Sequence, residues 1–221
     1  EDTGKKSDAD ADKVINVWAF TDEVPGMIEK YIEAHPDFGY EINTTIIATT
    51  DGAYQPALDQ ALASGGSDAP DIYCAEAAFV LKYTQGDAAQ YAAPYEDLGI
   101  DVDQAIKDAD IAQYTVDIGT NPDGKVVGLG YQATGGAFIY RRSIAKDVWG
   151  TDDPAVIQDK VGPGWDKFFD AAAELKAKGY GIVSGDGDIW HAVENSSDQG
   201  WIVDGKLNID PKREEFLDLS K

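Results

Sequence analysis

The side chains of this sequence best suited to chemistry are short polar groups set beside aromatic rings. Trp18, Phe20, Tyr131 and Trp190 can supply apolar rings, and Thr21, Asp22, Glu23, Asp51, Glu76, Gln132, Thr134 and His191 can supply donors and acceptors. A sugar needs this mixture, because its C–H face packs on an aromatic ring while its hydroxyls pair with carboxylate and amide oxygens. Trp18 lies inside an apolar run and has a competing role as a core residue. Trp190 is the better ring, because it follows Gly185-Asp186-Gly187-Asp188, which has the composition of a turn.

Other chemistries lack their residues. There is no GxxxxGK[ST] phosphate loop, and no GxGxxG follows a strand-like run. His35 and His191 are the two histidines, so a histidine-rich metal site is excluded. Cys74 is the single cysteine, which excludes an internal disulfide and a cysteine-based zinc site. It reads as a small buried apolar residue. Gly119, Asn121, Asp123 and Gly124 echo a calcium loop, but its twelfth position falls on Gly130 rather than an acid. No GxSxG elbow is present. No cofactor or metal is therefore expected. Lys+Arg number 18 and Asp+Glu 41, a net charge of −23. So acidic a surface repels phosphate backbones and anionic lipid, which argues against nucleic acid and direct membrane docking. The hydrophobic fraction of 43% is enough for a buried core.

The elements that must position these groups alternate. Residues 14–20, VINVWAF, form an apolar run of strand length. The helix after it places Val24, Met27, Ile28, Tyr31 and Ile32 on one face, and His35-Pro36 ends it. Residues 40–48 predict a second strand. A second helix carries Tyr54, Leu58, Ala61 and Leu62 on one face, with Pro56 tolerable near its first turn. Residues 72–75 predict a third strand, and residues 77–83 a third helix. This order implies parallel strands, right-handed crossovers and helices on both faces, an α/β fold. The crevice of such a sheet lies at the carboxyl ends of its strands, here residues 20–23, 48–51 and 74–76.

Residues 101–114 read as one acidic helix. Residues 125–129 and 137–140 read as short strands joined by a glycine-punctuated link, a passage from one packed body to another that would place Tyr131, Gln132 and Thr134 in a cleft. Residues 165–178 give a clear amphipathic helix that Gly179 stops, residues 180–184 a strand, and residues 201–207 a hairpin around Asp204-Gly205. Residues 211–221 begin a helix. Residues 1–12 read as a polar, acidic, unpatterned linker or tether.

Four motifs in order carry a resemblance: VINVWAFTDEVPGMIEKYIEAHP, ALASGGSDAPDIY, GKVVGLGYQATGGAFIYRR and GWDKFFDAAAELKAKGYG. Together they resemble the first half of an extracellular solute-binding protein of an ABC importer, with the carbohydrate-binding group the nearest likeness. The resemblance implies a two-lobed periplasmic-binding-protein-like fold. Residues 13–130 would form the first lobe, 131–140 the crossover and 141–221 an incomplete second lobe. It implies a non-enzymatic protein that delivers a sugar or oligosaccharide to a membrane permease. The location would be extracellular or periplasmic, with a lipid anchor preceding an acidic linker like residues 1–12. A secreted carbohydrate-active enzyme is the alternative of another class and needs two carboxylates at a fixed separation. The same fold binding a peptide, polyamine or metal chelate is a further one.

Overall fold

The computed structural model describes residues 13–221, so the expected linker at residues 1–12 lies outside the described residues. The described chain forms two compact units, one ending at Ala133 and the other running Thr134–Lys221.

The first unit is built on a three-stranded parallel sheet. Strand β1 (Val14–Ala19) leads through α1 (Glu23–Ala34) to β2 (Glu41–Ile46), then through α2 (Tyr54–Ser64) to β3 (Ile72–Tyr73). The strand order is β2-β1-β3. β1 pairs with β2 from Val14↔Glu41 to Ala19↔Ile46, and with β3 at Val17↔Ile72 and Trp18↔Tyr73. The chain therefore steps to one side of β1 and then crosses to the other. Right-handed crossovers in opposite directions put α1 and α2 on opposite faces. Between β1 and β3 the direction of winding reverses, and there the loops at the carboxyl edge part.

β3 is shorter than expected, and Asp71 explains how the pairing extends past it. Its Oδ2 accepts from the Asn16 backbone N–H at 2.8 Å, and its own N–H donates to the Asn16 carbonyl at 2.9 Å. The Asn16 side chain, buried in the sheet, donates to the Ser67 carbonyl and accepts from Asn43, both at 2.8 Å. Buried polar groups are costly unless paired, and here each is.

The core of this unit gathers under α2 and α3 (Val80–Thr84). Tyr54, Leu58, Tyr83 and Ala88 are buried together, with Trp18, Phe20, Tyr73 and Phe79 packed against them. Pro56 falls in the first turn of α2, where its missing N–H costs little.

The acidic helix expected at residues 101–114 is two helices, α4 (Val102–Asp108) and α5 (Gln113–Ile118). Asp101 caps the first by accepting from Gln104 N–H at 3.1 Å. It ends in a Schellman motif: Ile111 N–H bonds the Ile106 carbonyl, Asp110 N–H bonds Lys107, and Asp110 takes φ 48°. The strand expected at residues 125–129 reduces to a single antiparallel bridge, Thr120↔Val126, and residues 132–141 hold neither helix nor strand.

The second unit is helical. α6 (Arg142–Trp149), α7 (Pro154–Val161), α8 (Trp165–Ala177) and α9 (Gly187–Asn195) precede a hairpin of β4 (Ile202–Val203) and β5 (Lys206–Leu207), and α10 (Pro211–Leu219) follows. Ala145, Ile157, Ala171, Leu175, Ile189 and Val193 are its buried apolar residues. Gly179 stops α8 at φ 85°, and the hairpin turns at Asp204 and Gly205 with φ 52° and 72°, both as the sequence leads one to expect. Residues 180–184 are not a strand. A short apolar run becomes a strand only if another strand pairs with it. The first unit holds Trp18, and the second holds Trp149, Trp165, Trp190 and Trp201.

Candidate ligand-binding site

Parallel pairing puts the ends of β1, β2 and β3 at one edge of the first unit, so Thr21, Asp22 and Glu23, then Asp51, then Glu76 follow three neighbouring strands. An aromatic triangle holds these three segments together from beneath. Phe20 meets Tyr54 edge-on at 5.5 Å between centroids and Phe79 at 6.1 Å, and Tyr54 lies 6.2 Å from Phe79. Each ring comes from the segment after a different strand. Tyr54 is fully buried and donates its hydroxyl to the Cys74 carbonyl at 2.8 Å, and burial pushes that hydroxyl well above its ordinary value. Tyr54 and Phe79 are missing from the sequence-derived set. Their signal is position: each is an aromatic a few residues past a strand end.

Two of the rings expected to face a ligand from this unit, Trp18 and Phe20, are turned to packing. Trp18 is half-buried and lies against the Tyr54–Leu58–Tyr83 cluster, the role that competed for it in the sequence. Phe20 is half-buried in the triangle.

The polar residues stay at the surface. Thr21, Asp22, Glu23, Asp51 and Glu76 are exposed. Asp51 sits in a single 3-10 turn, Thr50–Gly52, at φ 57° and ψ 17°. This left-handed conformation is one a non-glycine residue holds at a cost. Glu23 opens α1, where a carboxylate suits the positive end of the helix dipole.

Glu23 also brings two distant candidates to it. Its Oε2 accepts from the Tyr131 hydroxyl at 3.0 Å, and its Oε1 accepts from Gln132 Nε2 at 2.9 Å. The sequence separations are 108 and 109 residues. Partial burial, then the hydrogen bond to Glu23, raises the Tyr131 hydroxyl above its ordinary value.

The segment that delivers Tyr131 and Gln132 to Glu23 is closely seated. A Cβ on Gly130 would lie 2.6 Å from Thr115 Cβ, and one on Gly119 would lie 2.1 Å from the Gly128 carbonyl oxygen. Positions 119 and 130 can hold these close approaches only as glycines.

Thr134, Trp190 and His191 belong to the second unit. Thr134 and His191 are exposed. Trp190 lies in the first turn of α9 rather than in the turn before it, because Asp186 caps that helix through the Gly187 N–H at 3.0 Å. Its half-buried ring meets Phe216 of α10 at 5.0 Å. A cavity of about 210 Å³ in this unit is lined by Trp165, Phe168, Phe169, Ile182, Val183 and Ile189 among others, and none of the candidate residues reaches it.

Among the described residues, no group of three or more His, Cys, Asp or Glu is placed to hold a metal ion. No described helix is long and apolar enough to cross a membrane.

The sequence matches a known family, bacterial extracellular solute-binding protein, over residues 26–214. Comparison with curated proteins finds no match. The matched span runs from α1 through the Tyr131–Gln132 segment into α10, taking in both compact units. The chain belongs to the bacterial extracellular solute-binding proteins, the solute-binding components of ABC transporters.

Proposed function

We propose that this protein captures a sugar or oligosaccharide at the carboxyl edge of the first unit's sheet and delivers it to its membrane permease. The observation that carries the reading is the seat formed by Glu23, Tyr131 and Gln132 at the point where the winding of the sheet reverses. Thr21, Asp22, Asp51 and Glu76 extend that seat along the edge, and Trp18 and Phe20 support it from below. Thr134, Trp190 and His191 are the contacts proposed for the second unit, with residues 131–140 as the crossover between lobes. The acidic stretch at residues 1–12 supports attachment at the cell surface through a lipid anchor, as its likeness to a lipoprotein linker suggests.

A thermal-shift panel of neutral oligosaccharides tests the reading. A ligand at about a hundred times its Kd stabilises the native state by about 2.7 kcal/mol and so raises the melting temperature. Gln132→Ala is expected to weaken the hit by about tenfold, or about 1.4 kcal/mol, in titration calorimetry. Trp190→Ala removes a stacking surface and is expected to weaken it tenfold to hundredfold, on the order of 1–3 kcal/mol. Because Trp190 also packs on Phe216, the melting temperature of each variant is measured alongside. Unchanged affinity in both variants counts against the site. Recovery of the sugar cleaved rather than intact counts against binding as the function and favours a carbohydrate-active enzyme.

A further inference from the structure

We propose that Glu23 is a positioning residue that fixes the hydrogen-bond polarity of Tyr131 and Gln132, so that the site selects solutes bringing donors and rejects anionic ones. The inference rests on the reading of this edge as the ligand site and names the solute class it admits. A carboxylate accepts hydrogen bonds and has none to donate. Glu23 engages both of its oxygens, one with Tyr131 and one with Gln132. Tyr131 must therefore direct its single O–H at Glu23, which leaves its oxygen lone pairs for any other partner. Gln132 must turn its NH2 toward Glu23, which turns its carbonyl oxygen away. Both side chains are exposed, so both present acceptors to the solvent side.

The neighbouring segments act in the same sense. Asp22, Asp51 and Glu76 are carboxylates, and residues 20–23, 48–51, 74–76 and 131–136 contain no Lys or Arg. In these segments an anionic solute meets carboxylates and outward acceptors, and none of the segments carries a Lys or Arg to offset its desolvation. A polyol or an amino sugar meets the same groups with donors and satisfies them. The selectivity is thus set by orientation as well as by charge, and Glu23 sets the orientation.

Glu23→Gln separates this role from a merely structural one. A glutamine at position 23 has one acceptor oxygen and one NH2, so it can accept from only one of the two partners. The other must reverse and present a donor outward. The shape is kept, so the fold is expected to survive, with the melting temperature lowered only slightly by the loss of a charge at the start of α1.

Two measurements decide the matter. Titration calorimetry compares maltotriose, cellotriose and mannotriose, each beside its C6-oxidised uronate. The wild type is expected to favour the neutral form by at least about tenfold, about 1.4 kcal/mol, and Glu23→Gln to narrow that ratio to about threefold or less. A structural role would weaken both forms together and leave the ratio unchanged. The second measurement follows the Tyr131 hydroxyl by ring-carbon NMR across alkaline pH, assigned with Tyr131→Phe, and needs no ligand. Its titration is expected to move down in Glu23→Gln, because the hydrogen bond that raises it in the wild type is weakened or reversed.

A wild type that binds a uronate as tightly as its neutral partner overturns the inference, and so does an unchanged ratio in Glu23→Gln. If none of the sugars binds, the sugar reading falls by itself. The Tyr131 titration then decides: unchanged in Glu23→Gln overturns the role of Glu23, and lowered upholds it.

Discussion

Two residues show how local geometry limits what this chain can accept. Gly119 is buried at the end of α5, with the Gly128 carbonyl where a Cβ would stand. Backbone atoms cannot swing aside as a flexible side chain can. Gly119→Ala is therefore expected to destabilise the first unit by about 3 kcal/mol, the upper end of the range for overpacking. It is also expected to disorder the Tyr131–Gln132 segment, and urea denaturation together with the Tyr131 ring signal checks both. Arg213 of α10 presents the opposite problem. It is 8% exposed, its guanidinium lies 4.1 Å from the centroid of the Trp201 ring, and its Nε and one terminal nitrogen are buried without a hydrogen-bond partner. The ring contact is worth about 0.5–2 kcal/mol. Burying unpaired donors costs about 1–3 kcal/mol, or more for a charged group. The cost exceeds the gain, so Arg213→Met is expected to raise stability by about 1 kcal/mol, read as a shift in the urea midpoint. At this scale the sequence was partly legible. Glu23, Tyr131 and Gln132 were named from their types and their places past strand ends. Nothing in the sequence shows that one carboxylate joins them across more than a hundred positions, nor that Phe20 packs with Tyr54 and Phe79, whereas the core role of Trp18 was open from the apolar run around it.

The elements were legible where a boundary signal accompanied a periodic pattern. α1 ends before His35-Pro36, α8 ends at Gly179, and the Asp204-Gly205 hairpin forms as expected. Short apolar runs were misread: among the described residues, 125–129 make a single bridge at Thr120↔Val126, and 137–140 and 180–184 pair with no strand. α6 and α7 went unread although their signals are present. Gly150 stops the first in the left-handed conformation, and Asp153-Pro154 opens the second. Asp152 lies between these helices and fastens the turn. Its carboxylate accepts from Arg142 Nε at 2.6 Å and pairs with Lys146 at 3.2 Å, while its carbonyl accepts from the Tyr140 hydroxyl at 2.9 Å. The hydrogen bond from Arg142, then that from Lys146, holds the Asp152 carboxyl below its ordinary value. A lowered carboxyl contributes stability that is full above the unfolded-state value, near 3.9, and is lost as pH falls through the folded one. The stability difference between wild type and Asp152→Asn is therefore expected to be constant near neutrality and to shrink below about pH 4. Urea midpoints of both proteins at several pH values measure it, and a difference that persists at low pH removes the pairing as its cause.

For the molecule as a whole, composition decided more than pattern. A net charge of −23 makes self-repulsion a standing cost of the compact state. Screening that repulsion is expected to raise the melting temperature as salt increases from about 0.01 to 0.15 M, over which the Debye length falls from about 30 to 8 Å. Calorimetry in sodium chloride tests this, and an insensitive transition would show that the charges are already balanced by their own pairs. The family was legible from the order of four motifs, and its profile covers residues 26–214. The Pro70-Asp71 motif has its physical reason in Asp71, which completes the pairing of β3 at Asn16.

The uneven placement of tryptophan gives the two units separate optical reporters. Trp18 is alone in the first, while Trp149, Trp165, Trp190 and Trp201 are in the second. Emission excited selectively through tryptophan is therefore weighted toward the second unit, whereas far-ultraviolet dichroism registers helices in both. If the units melt independently, the two signals trace different denaturation curves. Trp18→Phe should then leave a single emission transition belonging to the second unit. Superimposable curves would mean instead that the halves unfold as one cooperative body.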